Sequence, residues 1–294
     1  MEMFQVQYDR YREMAEAFLH RIFESPGGPE LRPWDRLWEA MGYSVLAGGK
    51  RVRPVLTLAV CEALGGRGED ALPLGCALEL IHTYSLIHDD LPCMDDDDLR
   101  RGRPTCHKVY GETMAVLAGD ALQPEAFRLI ACAELSARQR VDAVQVLSRA
   151  SGGDGMVAGQ VMDVDGLAGD EASLRLLCRL KTGALLRAAA ELGCVAAEAS
   201  DEQRSRAVRY AEHIGLAFQV RDDMLDVIAD QDEFGKPVGS DREEGKETFV
   251  DLRGLQGCGK LVEEETRLAK EAIAGFPDNG FLLALADSLA ERRK

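Results

Sequence analysis

Hydrophobic residues along most of this chain recur at the spacing of an α-helix. In "DALPLGCALELIHTYSLIH" (70–88) they form two stripes, Leu74, Leu78 and Ile81 on one and Leu80, Tyr84 and Ile87 on the other. A helix that is apolar on two sides is predicted to be buried. Alternating runs of Val, Ile and Thr between turns are scarce, and Ala, Leu, Glu and Arg dominate. The pattern therefore predicts an all-α fold.

Glycine, proline and polar clusters interrupt this pattern at five places. These predicted breaks are residues 24–33, 65–70, 151–155, 232–246 and 275–280. None of them is a long low-complexity linker, so we predict a single domain over residues 1–294.

Composition excludes several classes of protein. The chain has 294 residues with 35 Lys and Arg against 51 Asp and Glu, a net charge of -16. Nucleic acids and anionic membranes both require a basic face, so neither is a predicted partner. The 8 cysteines include no CxxC pair, which argues against a zinc site or a disulfide framework. With no signal peptide or long apolar segment, we predict a cytoplasmic protein that is not a membrane protein.

Two acidic clusters adjoin apolar sequence. "HDDLPCMDDDDLRRG" (88–102) follows the predicted buried helix directly, and "FQVRDDMLDVIAD" (218–230) places Asp222 and Asp226 on one helical face. A run of like charges usually marks a solvated loop. At the edge of a core, however, uncompensated carboxylates cost several kcal/mol each, so these clusters predict bound cations.

The chemistry of the clusters favours magnesium and diphosphate. Ligands that are all oxygen suit Mg2+, which shares its remaining coordination positions with waters and phosphate oxygens. We therefore predict that the two clusters face each other across a cavity. Cations that could bind phosphate oxygens occur in "GGKRVRP" (48–54), at Arg100 and Arg101, in "KTG" (181–183) and in "GKP" (235–237).

The order of these motifs resembles that of a known enzyme family. "GGKRVRP", "HDDLPCMDDDDLRRGRPTCH", "GGDGMVAGQVMD", "KTG", "FQVRDDMLD" and "FGKPVGSD" together are similar to the trans-prenyltransferases, the short-chain isoprenyl diphosphate synthases. The resemblance implies an all-α isoprenoid-synthase bundle around a deep central cavity, assembled as a homodimer. It also implies a head-to-tail condensation of isopentenyl diphosphate with dimethylallyl or geranyl diphosphate, releasing diphosphate.

The resemblance also implies roles for individual residues. Asp89, Asp95 and Asp222 would hold about three Mg2+ ions against the allylic diphosphate. Other implied contacts of that diphosphate are Arg100, Lys181 and Lys236, and those of isopentenyl diphosphate are Lys50, Arg53, His82 and Arg101. Thr182 and Gln219 would present oxygens near the allylic cation, and Gln160 and Asp163 would line the pocket. The departing diphosphate is the base that the chemistry favours.

Product length is implied by the helix before Asp89. Tyr84 lies five residues earlier, about 7.5 Å along that helix, and with Ser85 it would form the floor of the tail cavity. An aromatic residue here, with two extra residues in the first motif, resembles bacterial farnesyl diphosphate synthases. Relatives with a twenty-carbon product, such as geranylgeranyl diphosphate, tend to have a smaller or unbranched residue. The alternative is that Tyr84 only packs in the core.

Other classes of protein fit less of the sequence. A terpene cyclase would have Asn, Ser and Glu in its second motif, which "DDMLD" lacks. A non-catalytic partner subunit would be expected to have lost ligands, and a calcium-binding or structural acidic protein explains neither the cations nor their order.

Overall fold

The computed structural model describes residues 2–23, 32–228 and 247–292, and helices make up most of these ranges. The helices are α1 (Glu2–Phe23), α2 (Asp35–Val45), α3 (Val52–Ala63), α4 (Gly68–Asp89), α5 (Cys106–Tyr110), α6 (Glu112–Ala131), α7 (Ala137–Ser151), α8 (Met156–Val164), α9 (Glu171–Lys181), α10 (Gly183–Ala196), α11 (Asp201–Ile228), α12 (Phe249–Ala272) and α13 (Gly280–Glu291). A short antiparallel hairpin, β1 (Leu99–Arg100) and β2 (Arg103–Pro104), pairs Leu99 with Pro104. The predicted all-α class is confirmed.

Helix α4 lies in the middle of the bundle, packed against α1, α2, α3, α6, α7 and α10. Both of its predicted apolar stripes are buried. The helix is therefore surrounded by protein over most of its length, and it ends at Asp89 where the acidic stretch begins.

Two hydrophobic cores hold the helices together. The major core takes side chains from α1 to α4, α6, α7, α10 and the first half of α11. The minor core joins α9, the second half of α11 and the first half of α12 through Leu174, Cys178, Val220, Phe249 and Cys258. Because α11 contributes to both cores, its second half carries "DDMLD" along the minor core.

The predicted breaks agree in part with the helix boundaries. Residues 152–155 and 275–279 of two predicted breaks lie between helices, whereas α4 begins at Gly68, inside the predicted 65–70 break. Most of 24–33 and all of 232–246 lie outside the described residues. None of the described helices combines the length and the apolar character needed to cross a membrane.

Candidate active site

The first acidic motif folds back onto the end of α4. The Asp95 backbone N–H donates to the Asp89 carbonyl at 2.8 Å, and Met94 N–H donates to Leu91 O at 2.8 Å. This turn accommodates Pro92 and Cys93 and brings Asp95 close to Asp89. Burial raises the pKa of Asp89 to about 6, with Lys181 lowering it and Asp95 raising it further. Asp89 therefore lies in surroundings that disfavour its ionised form.

The second acidic motif lies on α11. Asp223 is buried and accepts hydrogen bonds from Phe249 N–H at 2.9 Å and from the Gln219 side-chain amide at 3.2 Å. Asp222 is half-buried and pairs with Arg292, whose guanidinium also lies 3.9 Å from the centre of the Phe218 ring. The Arg292 guanidinium therefore neutralises Asp222 in this structure.

Both motifs border one cavity of about 600 Å³. Its lining includes Asp95 from the first motif, Gln219 and Asp223 from α11, and Asp163 from α8. The cavity also reaches the minor core at Leu174 and Cys178. The fold thus brings together two motifs that are more than a hundred residues apart in the chain.

The donor set at this cavity fits magnesium. Within the described ranges, no three carboxylate, thiol or imidazole ligands are already gathered around one point. The carboxylates at the cavity supply oxygen ligands only, and burial disfavours the ionised form of the nearby Asp89, which a bound cation would offset. When bound there, Mg2+ would neutralise negative charge that develops on a diphosphate leaving group.

The junction of α8, α9 and α10 adds polar side chains to the same region. Gln160 donates to Asp89 Oδ1 at 3.0 Å, and Lys181 Nζ donates to Asp163 Oδ2 at 2.6 Å. Thr182 Oγ1 donates to Gln219 Oε1 at 3.2 Å, which connects this junction to α11. These contacts place an ammonium group and neutral oxygens between the two acidic motifs.

Arg100 extends from β1 towards the end of α4. Its guanidinium donates to Asp90 Oδ1 at 2.6 Å and to Asp97 Oδ2 at 2.9 Å. Asp90 is buried, and burial raises its pKa while the Arg100 hydrogen bond lowers it. The sequence alone did not predict that Asp90 would pair with Arg100. The available signal was its position next to Asp89, because adjacent residues on a helix point in different directions.

A second group of cations lies near the loop between α2 and α3. Arg101 donates to the Gly48 carbonyl, and a Cβ on Gly49 would lie 2.9 Å from the Arg101 guanidinium carbon. Arg53 Nε is buried and has no hydrogen-bond partner within the described ranges. Burial lowers the pKa of Lys50, and the nearby Arg292 lowers it further. This group has the positive charge and the open hydrogen-bond donor that a second diphosphate requires.

His82 lies close to the same cations. Burial lowers the pKa of His82 well below its usual value, and the Arg53 and Arg101 guanidiniums lower it further. His82 is therefore neutral at physiological pH, so it can offer a hydrogen bond to phosphate but no charge. Lys236, which the sequence assigns to the allylic diphosphate, lies outside the described residues.

Tyr84 is buried on α4, and its surroundings include a residue that the sequence did not single out. Its ring meets the His88 ring edge to face, with centroids 5.8 Å apart. His88 Nε2 lies 3.1 Å from the Val116 carbonyl on α6, and a Cβ on Gly119 would lie 2.1 Å from that nitrogen. Burial and the Asp89 charge both raise the pKa of Tyr84. Ser85 Oγ donates to the His82 carbonyl at 2.9 Å, within α4.

Comparison with known proteins identifies the family. The family described as "Polyprenyl synthetase" matches residues 35–275. Heterodimeric geranylgeranyl pyrophosphate synthase large subunit 1 of Arabidopsis thaliana is 48% identical over 269 residues, covering 88% of this chain and 72% of that protein. Farnesyl diphosphate synthase of Bacillus subtilis is 44% identical over 264 residues, covering 88% and 89%.

Solved structures show the same fold. An FPP/GFPP synthase from Zymomonas mobilis superposes with a TM-score of 0.86 at 36% identity, covering 97% of this chain and 99% of that one. A geranyltransferase from Legionella pneumophila gives 0.86 at 34% identity, with 99% and 98% covered. Enzymes of the matched family generally depend on Mg2+. The chain belongs to the polyprenyl synthetase family and is a short-chain isoprenyl diphosphate synthase.

Proposed function

We propose that this enzyme is a farnesyl diphosphate synthase, which joins isopentenyl diphosphate first to dimethylallyl and then to geranyl diphosphate. The observation that carries this proposal is the position of Tyr84. Its ring is buried five residues before Asp89, about 7.5 Å along α4, and His88 packs against it. A prenyl tail growing from the acidic motifs along α4 would meet this ring, which would stop elongation at fifteen carbons.

In the proposed reaction Asp89, Asp95 and Asp222 would hold Mg2+, which would neutralise charge on the allylic diphosphate. Arg100 and Lys181 would complete its surroundings, and the sequence assigns Lys236, which lies outside the described residues, to the same diphosphate. The allylic carbon–oxygen bond then breaks, and the negative charge passes to the diphosphate. At an effective dielectric constant of 20, two unit charges about 5 Å apart interact by roughly 3 kcal/mol, so several cations lower the barrier substantially.

The remaining steps use isopentenyl diphosphate bound at Lys50, Arg53, His82 and Arg101. Its double bond attacks the allylic cation, which forms the new carbon–carbon bond. Oxygens of Thr182 and Gln219, which are hydrogen-bonded to each other at 3.2 Å, would stabilise that cation before the attack. The resulting tertiary cation then loses a proton to the departed diphosphate, and the prenyl chain is five carbons longer.

A second candidate is geranylgeranyl diphosphate synthase, with a twenty-carbon product. The observation that favours it is the naming of several relatives, including a geranylgeranyl pyrophosphate synthase of Catharanthus roseus that is 48% identical over 265 residues. Identity at this level supports the reaction type and leaves product length to the residues at the cavity floor.

We also propose that two copies of the chain pair through α6, α7 and α8. Support comes from exposed apolar side chains on these helices, namely Val116, Leu117, Val141, Val157 and Val161. The core of a homodimer interface is more apolar than the rest of a protein surface. Sedimentation velocity tests the pairing: a dimer for the wild type and a monomer for Leu117→Glu are the expected results, and a wild-type monomer would refute it.

Product carbon number tests the main proposal. The purified protein is incubated with isopentenyl diphosphate, dimethylallyl diphosphate and Mg2+, beside Tyr84→Ala and the matched control Tyr84→Phe. We expect fifteen carbons for the wild type and Tyr84→Phe, which both keep a ring, and longer products for Tyr84→Ala. A wild-type product of twenty carbons would instead support the second candidate.

A further inference from the structure

The segment "GGKRVRP" contains three cations, and the structure separates one of them from the others. Arg51 precedes the first residue of α3 and has a left-handed backbone, with φ of 50°. Its side chain is completely buried, whereas Lys50 and Arg53 belong to the group proposed to bind isopentenyl diphosphate. A left-handed conformation is costly for any residue except glycine, so other contacts must hold Arg51 there.

Arg51 supplies those contacts with its own guanidinium. Nε donates to Glu16 Oε1 at 2.8 Å and Nη1 donates to Glu79 Oε1 at 2.9 Å. Nη2 donates to the Val45 carbonyl at 2.6 Å and to Glu16 Oε2 at 3.3 Å. One side chain therefore ties the start of α3 to α1, to α4 and to the end of α2.

The charge of Arg51 is already balanced by two carboxylates and its side chain is fully buried, so a substrate phosphate cannot reach it. Arg53 differs, because its Nε is buried without a partner within the described ranges. Glu79 is 2% exposed and lies on α4 one turn before His82, another member of the proposed diphosphate site. The buried ion cluster of Arg51, Glu16 and Glu79 thus lies directly beneath that site.

Loop 46–51 is held from both sides as a result. On its inner side Arg51 is fixed by the ion cluster, and on its outer side Gly48 and Gly49 contact the Arg101 guanidinium. The Lys50 carbonyl accepts a hydrogen bond from Tyr8 Oη at 2.7 Å, which fixes the peptide between these two anchors. If Arg51 were released, Lys50 and Gly49 would lose their fixed position relative to Arg53 and Arg101.

We propose that Arg51, held by Glu16 and Glu79, is the positioning residue of the isopentenyl diphosphate subsite and contacts no substrate itself. This inference rests on the proposed assignment of Lys50, Arg53 and Arg101 to that subsite. Replacing Arg51 should therefore weaken the binding of isopentenyl diphosphate specifically. Binding of the allylic diphosphate should be unaffected, because its proposed ligands lie at the ends of α4 and α9 and on α11.

The test measures binding of isopentenyl diphosphate by titration calorimetry without allylic substrate, and KM for both substrates. Arg51→Lys keeps the charge but lacks the planar fork that reaches all three acceptors. Arg51→Met leaves two carboxylates without a partner and could fail to fold, so a triple variant with Glu16→Gln and Glu79→Gln removes the whole cluster. Arg187→Met, which breaks a 3.3 Å pair with Glu212 on α10 and α11, is the matched control.

We expect the Kd and KM of isopentenyl diphosphate to rise by about tenfold or more in Arg51→Lys and in the triple variant, because losing one hydrogen bond from a charged side chain to the diphosphate costs at least that much affinity. The KM of the allylic substrate should stay within about twofold of the wild-type value in these variants. In the control Arg187→Met, the KM values of both substrates should stay within about twofold of wild type. Unchanged binding of isopentenyl diphosphate in the folded triple variant, or equal losses for both substrates, would overturn the inference. If Lys50→Ala and Arg53→Ala also leave that binding unchanged, the subsite assignment itself fails.

Discussion

Replacing Gly159 by alanine should separate α8 from the end of α9. A Cβ at this position would lie 2.2 Å from Lys181 N, 2.5 Å from Lys181 Cα and 2.8 Å from the Leu180 carbonyl carbon. These atoms belong to the backbone, so no side-chain rotation relieves the clash. An ordinary contact begins at 3.4 Å, and the helices must therefore move apart by on the order of 1 Å.

This movement has two calculable costs. Overpacking of this kind destabilises a protein by about 1–3 kcal/mol, and each kcal/mol lowers Tm by roughly 2–4 °C in a domain of this size. Lys181 and Thr182 lie at one side of the contact, with Gln160 and Asp163 at the other. Since a displacement of about 1 Å at catalytic groups can cost about 100-fold in rate, we expect kcat to fall by one to two orders of magnitude, that is by about 10–100-fold.

Scanning calorimetry and steady-state product formation measure the two effects. The matched control is Gly259→Ala on α12, where a Cβ has no neighbour within 4 Å. This control should keep wild-type activity and gain about 1 kcal/mol of stability from the better helix propensity of alanine. A Gly159→Ala enzyme with Tm and kcat both equal to wild type would refute the reasoning.

Three further substitutions test other contacts. His88→Ala removes the ring against Tyr84, so products longer than those of wild type are expected by mass spectrometry; an unchanged carbon number would contradict this. Because the pKa of Asp89 is raised to about 6, its ionisation destabilises the metal-free fold as pH rises from 3.8 towards 6. Asp89→Asn should therefore raise Tm, measured with a chelator, more at pH about 7.5 than at pH about 4.5; an equal change at both would refute it. Arg100→Met leaves the buried Asp90 unpaired and should cost about 3 kcal/mol in urea unfolding; a loss below about 0.5 kcal/mol would show that the pair is not needed.

The sequence was sufficient for the elements whose signal is local. The two apolar stripes of α4 repeat at helical spacing, so burial of this helix could be predicted from the chain alone. The helix ends at Asp89, three residues before Pro92, and the chain continues into turns. The meeting of the two acidic motifs at one cavity could also be predicted, because carboxylates at the edge of a core require bound cations.

Other parts of the site depend on contacts between distant segments, which local patterns do not encode. Arg51 lies in the same short motif as Lys50 and Arg53, yet it turns inward because Glu16 and Glu79 lie within its reach. His88 similarly acquires its position from Gly119 on α6, a residue that has no distinctive local pattern. Such assignments require the packed structure.

The division of the interior into two cores has a consequence for the order in which the molecule opens. Asp95 follows α4 from the major core, whereas Asp223 lies on the part of α11 that belongs to the minor core. A smaller apolar cluster opens at a lower free energy, so backbone amides of α9 and the first half of α12 should exchange with deuterium before those of α4. The cavity would then be lost by partial opening while the rest of the fold persists. A diphosphate ligand that binds both acidic motifs should slow this exchange, because it would link the two cooperative units.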